Sequence, residues 1–226
     1  MSREALLNEE QTALELACLD EEGNLLICET CMDTGTRISE VTGVMIKHVD
    51  LETGTIQIAQ RSWRGDIDDP KTAKSSRLLA VGGLTERYKD WIRKLKRQDP
   101  NAFVFPQEAD DKQPRWDSGV RQAIKRAARA VKPVGADRTD PGLDFPGFGP
   151  HSLRRANITW RQEVGGSSIE ASKIAGHANM KITEEYTIVQ MKRQEELTRR
   201  VQDKRAKAAK RAQEPKVVAI KKETAA

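Results

Sequence analysis

Histidine is scarce in this chain, and two of its three histidines, His151 and His177, stand in informative company (the third is His48). His151 lies in Pro150-His151-Ser152-Leu153-Arg154-Arg155, which opens a helix after a long Pro- and Gly-rich stretch. Three positions separate His151 from Arg154, so the two share one face of the first helical turn. Free N–H groups and the helix dipole favour an anion there. An H-x-x-R alone is unspecific, since a capping histidine beside a surface arginine has the same spacing. His177 follows Gly176 at the end of a short helix, and Tyr186 comes nine residues later in Thr183-Glu184-Glu185-Tyr186-Thr187. Of the two tyrosines, Tyr88 belongs to an apolar stripe and reads as core. Tyr186 stands among charged and hydroxyl residues, where a ring gains little by burial, and so is a candidate for chemistry.

Two further stretches add charge. Thr34-Gly35-Thr36-Arg37-Ile38-Ser39-Glu40 turns at a glycine into a short helix led by Arg37, and Glu40 is spaced to hold its guanidinium. Asp69-Pro70-Lys71-Thr72-Ala73-Lys74-Ser75-Ser76-Arg77 places two lysines in a charged loop between strands. Cys28 and Cys31 form a C-x-x-C, but with no second cysteine pair they read as two thiols one helical turn apart.

The elements that position these residues follow from periodicity. Asn8 caps a first helix with Leu14, Leu16 and Ala17 as its apolar positions. Helices are predicted from about 24 to 32, ending at Asp33-Thr34-Gly35, and from 37 to 41, closing near Gly43. Val44, Ile46 and Val49, then Ile56 and Ile58, then Leu79 and Val81 predict a three-stranded antiparallel sheet. A turn at 50–54 joins its first two strands, and a long charged loop joins the second to the third. Leu84, Tyr88, Trp91, Ile92 and Leu95 make one helical stripe, and another helix covers about 116–131. The segment Asn101 to Pro106 pins a loop to the core, whereas 132–150 is a long Pro/Gly-rich loop. Helices return at about 152–164, 168–175 and 181–189. Beyond Gln190 runs a charged helix and a Lys/Ala-rich tail, broken at Pro215 and disordered at its end, with residues 205–226 expected to be solvated.

Charge is distributed unevenly. The net charge of +5 hides an acidic start: residues 1–33 hold one Lys or Arg against nine acids, whereas 192–226 hold 12 against 5. The basic middle and tail suit a polyanion, and nucleic acid is the commonest one inside cells. At 226 residues, 37% hydrophobic and 32% charged, the chain is globular in composition. No apolar run nears the roughly 20 residues a membrane span needs. No signal peptide is read at the start, so the expected place is the cytoplasm.

Taken in order, Arg, Lys, His-x-x-Arg, Gly-His and Tyr form a specific set. With TGTRISEV (34–41), PKTAKSSRLLAV (70–81), PHSLRRA (150–156) and IAGHANMKITEEYT (174–187), the chain closely resembles the tyrosine recombinases, the family of phage-type integrases. The resemblance spans about residues 5–190. It implies an α+β, mainly α-helical catalytic domain with a small three-stranded antiparallel sheet over residues 1–190, followed by a basic helix and tail over 191–226. It also implies a site-specific recombinase that cuts and rejoins DNA through a 3′-phosphotyrosine, with no metal or other cofactor.

The resemblance assigns the roles. Arg37 and Arg154 clamp the non-bridging oxygens of the phosphodiester, which suits the bidentate guanidinium. Tyr186 attacks phosphorus, and its free pKa of about 10 demands a base or a cationic site. His151 assists that proton transfer, Lys71 protonates the departing 5′ oxygen, and His177 hydrogen-bonds the phosphate. Lys74, three residues from Lys71, is the alternative acid. Arg155 stands where many relatives carry His. The partners implied are double-stranded DNA and, on paired sites, three further copies in a homotetramer, with a monomer or weak oligomer off DNA and a nucleoid-associated location. Relatives carry a helical domain ahead of the catalytic one, so a fragment is expected here, with weak and salt-sensitive DNA binding.

Other readings are a type IB topoisomerase-like activity and a non-catalytic DNA binder that retains the fold. A metal-dependent nuclease requires a carboxylate cluster that the sequence does not assemble.

Overall fold

A computed structural model describes residues 9–68, 76–131, 148–176 and 191–213, with side chains over 12–68, 76–131, 148–176 and 194–210. Helix α1 (Glu9–Ala17) forms as predicted but shows a different face. It buries Thr12 and Glu15, while Leu14 is exposed and Leu16 only packs against the core's edge. The next helix, α2 (Glu22–Thr34), buries Leu26, Ile27, Cys28, Cys31 and Met32, so its apolar residues face neighbours on several sides. Cys28 and Cys31 are free thiols sealed in this core, and burial pushes the Cys31 thiol up to about 12. The Thr30 hydroxyl lies 2.7 Å from the Leu26 carbonyl and 2.7 Å from Tyr88 Oη, which satisfies a tyrosine with no exposed surface.

α2 stops at Gly35, whose φ of 71° closes the helix through a bond to the Cys31 carbonyl at 2.9 Å. A Cβ at Gly35 would also stand 2.7 Å from Asn157 Oδ1, so the glycine lets two helices approach. Helix α3 (Ile38–Thr42) follows at once, and Gly43 closes it.

The expected three-stranded sheet is present, but its first strand is shorter than the apolar positions 44–49 suggest, because Ile46–His48 form a 3-10 turn. β1 (Val49–Asp50) pairs antiparallel with β2 (Thr55–Ile58) across a turn in which Asp50 Oδ1 accepts from the Glu52 and Thr53 amides. The connection after β2, read from the sequence as a loop, contains a hairpin of β3 (Arg61–Trp63) and β4 (Asp66–Asp68). Its two turn residues, Arg64 and Gly65, both have positive φ, the conformation that matches strand twist. An Arg-Gly turn flanked by charged residues carries no apolar alternation, and only Ser62 of the hairpin's strands is buried, so periodicity did not signal it. β5 (Arg77–Ala80) then completes the order β1-β2-β5, with Ile56 opposite Leu79.

Helices α4 (Thr85–Arg93) and α5 (Asp117–Ala130) bracket the pinned segment at 102–105. That segment bonds through Val104 N to the Val44 carbonyl, and its Ala102 carbonyl accepts from Ile46 N, each at 2.9 Å. α6 (Pro150–Glu163) starts with proline in its first turn, where no N–H is missed. α7 (Ser168–Ala175) starts at Ser167, which caps the Glu170 amide at 3.1 Å while Glu170 bonds back at 2.7 Å.

The last helix, α8 (Met191–Gln213), folds back onto the domain and packs on α1, β5, α6 and α2. Leu197 and Val201 lie in the same core as α2 and α6. Fully buried Arg161 of α6 bonds Asn157, the Asp33 carbonyl and Thr198 of α8, tying three helices together. Arg205, expected within a solvated segment, instead pairs with the buried Asp33 and Glu29, and Ala208 is buried too. The whole is the expected mainly helical α+β domain with one small three-stranded antiparallel sheet.

Candidate active site

Three of the six candidate residues, Arg37, His151 and Arg154, lie within the described structure; Lys71, His177 and Tyr186 lie outside it, as does Lys74. Arg154 sits one turn into α6, and its side chain is buried to 1% exposure. Its Nη1 donates to the Gly35 carbonyl at 2.6 Å and to the Ala175 carbonyl at 2.5 Å. Both acceptors belong to helix C-terminal ends, those of α2 and α7, where exposed carbonyls and the helix dipole favour a cation. Nε and Nη2 of the same guanidinium are buried and have no partner. These two nitrogens keep N–H donors of the kind an oxyanion accepts. Burial, then the charge of Arg37, pulls Arg154 down to about 10, against the attraction of Glu40. It remains a cation at neutral pH.

Arg37 stands at the N-cap of α3 with its side chain half exposed. Glu40 holds it twice, accepting the Arg37 amide at 2.8 Å and Nη1 at 3.1 Å, the orienting role its spacing predicts. Burial works to raise the Glu40 carboxyl, but hydrogen bonds and charge from Arg77, then from Arg37, outweigh it and hold the group below the usual carboxylate range. Glu40 is therefore ionised, and the four side chains Arg37, Glu40, Arg77 and Arg154 carry a net positive charge.

Arg77 is the residue that sequence reasoning missed. Its sequence neighbourhood places it at the tail of the charged loop, yet it is the first residue of β5 and its side chain is mostly buried. Its Nη2 and Nη1 meet Glu40 at 2.8 and 3.3 Å, while Nε and Nη2 reach the Ile174 and Ala175 carbonyls at 2.9 and 3.0 Å. The available signal was positional: a lone arginine opening a strand whose next inward residues, Leu79 and Val81, are apolar.

His151, at the exposed start of α6, has its pKa lowered by partial burial and then by Arg155, Arg154, Arg37 and Arg121. A lowered value leaves the imidazole neutral at pH 7 and able to take a proton. His48, the remaining histidine, is occupied elsewhere: its Nδ1 accepts the Met45 amide at 3.1 Å. Among the described residues, no cluster of three His, Cys, Asp or Glu is arranged to hold a metal ion, and no helix is long and apolar enough to cross a membrane.

Comparison with known proteins bears on the fold and the family. Tyrosine recombinase XerA of Saccharolobus solfataricus is 26% identical over 162 residues, which are 72% of this chain and 44% of that protein. The fold is similar to that of the Tn1549 transposon integrase in complex with circular intermediate DNA, at a TM-score of 0.65 and 19% identity over 79% of this chain and 61% of the other. It is also similar to the integrase from mycobacterium phage Brujita, at a TM-score of 0.60 and 17% identity over 89% and 59% of the two chains. This chain thus spans less than two thirds of the length of these relatives. The model of the phage integrase family matches residues 4–193, which include all six candidate residues, and the chain belongs to that family.

Proposed function

We propose that this protein is a site-specific DNA recombinase that exchanges strands through a 3′-phosphotyrosine intermediate. The observation that carries the reading is the Arg154 guanidinium, anchored by Nη1 on two helix ends, with Nε and Nη2 left without protein acceptors. Most of its exposed surface is lost, a costly arrangement unless an anion completes it.

In this reading Arg37 and Arg154 bind the two non-bridging oxygens of one phosphodiester. Their charge stabilises the trigonal-bipyramidal transition state, in which negative charge on those oxygens grows. Tyr186 Oη attacks phosphorus as its proton passes to the neutral His151 imidazole. The bond to the 5′ oxygen breaks, and Lys71 gives that oxygen a proton. The products are a 3′-phosphotyrosine and a free 5′-hydroxyl. One ester has replaced another, so a second 5′-hydroxyl can reverse the step with no outside energy. His177 hydrogen-bonds the phosphate. The substrate is double-stranded DNA, and exchange of four strands calls for four copies on paired sites, in the nucleoid of the cytoplasm.

Covalent trapping tests the reading. A nicked suicide duplex bearing a candidate site is incubated with wild-type protein and with Tyr186→Phe, then run on a denaturing gel. A shifted protein–DNA band that vanishes in the variant is expected. A band that survives Tyr186→Phe would overturn the nucleophile.

A further inference from the structure

The segment 177–190, which contains His177 and Tyr186, leaves the described structure at Gly176 and rejoins it at Met191, and the elements on both sides are bonded to one strand, β5. At the leading end, Arg77 donates from Nε to the Ile174 carbonyl and from Nη2 to the Ala175 carbonyl, the last residues of α7. Gly176 follows with φ 75°, and a Cβ there would stand 2.6 Å from Arg77 Nη1. The guanidinium thus occupies the space a side chain would need.

At the trailing end, Gln194 lies three residues into α8 and is buried. Its Nε2 donates to the Leu78 carbonyl at 3.1 Å, and its Oε1 accepts the Ala80 amide at 2.5 Å. β5 is an edge strand, and Leu78 and Ala80 direct these groups away from β2, whose bonds are made by the alternate residues. Gln194 therefore satisfies the open edge as a neighbouring strand would. Gln202, two turns later, repeats the pattern on the Val81 carbonyl and the Gly83 amide, each at 3.0 Å. The same Arg77 that holds α7 also holds Glu40, which orients Arg37.

From this we infer that Arg77 and Gln194 are positioning residues: β5 fixes the end of α7 and the start of α8, the two described points between which the chain carries Tyr186. The inference rests on the strand-exchange reading above. Neither side chain needs to touch DNA. Each acts by limiting where a fourteen-residue segment begins and ends, and misplacing a reacting group by about 1 Å can cost on the order of 100-fold in rate.

The test compares Arg77→Lys and Gln194→Met with wild type and Tyr186→Phe, all at a temperature where melting curves show each protein folded. Lysine keeps the charge but cannot serve Glu40 and two carbonyls together, and methionine keeps the shape of Gln194 without its hydrogen bonds. Two quantities are read: the single-turnover rate of covalent complex formation at saturating suicide duplex, and the Kd for the uncleaved duplex. The rate is expected to fall about 10- to 100-fold in both variants, with Kd within about twofold of wild type. Wild-type rates in the variants would overturn the inference and leave the recombinase reading standing. A loss of affinity that accounts for the whole loss of rate would also overturn it, by making these residues part of the DNA surface. A wild-type protein that gives no Tyr186-dependent band is a failure of the reading itself. If Arg77→Lys does not fold, Gln194→Met, which leaves the arginine cluster intact, decides the matter alone.

Discussion

Arg154 Nη1 donates to the Ala175 carbonyl at 2.5 Å, so helix α6 and the end of α7, one residue before Gly176, share a hydrogen bond. The same nitrogen reaches Gly35, which precedes Arg37 by two residues. Arg154 is thus a cross-link between the chain segments that lead to two other candidate residues. Arg154→Lys should lower cleavage by about 10²- to 10³-fold, since a point charge replaces a fork of donors. It should also lower stability by roughly 1–3 kcal/mol, because the two carbonyls lose their partner. Single-turnover cleavage and urea denaturation read the two effects separately.

Cleavage should depend on the protonation of His151. Its pKa is lowered from 6.5, so the neutral, proton-accepting form dominates at pH 7 and is lost as pH falls through the lowered value. A pH–rate profile at saturating DNA should fall on the acid side somewhere below 6.5. His151→Gln should be slower and lack that acid limb. An unchanged limb in the variant would assign the titration to another group.

Glu15 makes stability depend on pH in the opposite sense. Both of its oxygens are buried in α1 without a partner, and burial raises its pKa from 4.5 to about 8. A raised carboxyl binds a proton more tightly in the folded state, so its stabilising effect is full below 4.5 and lost as pH rises to about 8. The gap corresponds to an upper limit on the order of 5 kcal/mol. Glu15→Gln should therefore raise the urea midpoint clearly at pH 8 and little at pH 5. Equal gains at both values would show that Glu15 titrates normally.

Docking of α8 hangs on a buried carboxylate. Asp33 has no exposed side-chain surface and is met by Arg205 on one oxygen and by Gln202 at 3.1 Å on the other. Arg205→Ala should cost roughly 3 kcal/mol, by leaving that charge without its counter-ion. Asp33→Asn in the same background should recover part of the loss. Thermal unfolding of the two single variants and the double variant measures the coupling.

Much of this protein is legible along the chain, and the reason is covalent. Helix and strand periods, the capping pair at Ser167 and Glu170, and the Arg37–Glu40 pair all join residues a few positions apart, so spacing alone decides whether they meet. The H-x-x-R pattern belongs to the same class. What spacing cannot decide is which residues meet across the core. Arg154 finds Gly35 from 119 positions away, and Arg77 finds Ala175 from 98. Gln194 finds the edge of β5 from more than a hundred. None of these side chains advertises its partner, because the partners are backbone carbonyls and amides that nearly every residue possesses. The face of α1 was misread for a related reason: Leu14 and Glu15 exchange their usual places once α8 packs against that helix, and burial is a property of the packed neighbours rather than of the residue. Residue types and local spacing determined the elements, the candidate chemistry and the resemblance. Tertiary packing alone decided that β5 meets both α7 and α8, because only long-range contacts bring its backbone and Arg77 to the ends of those helices.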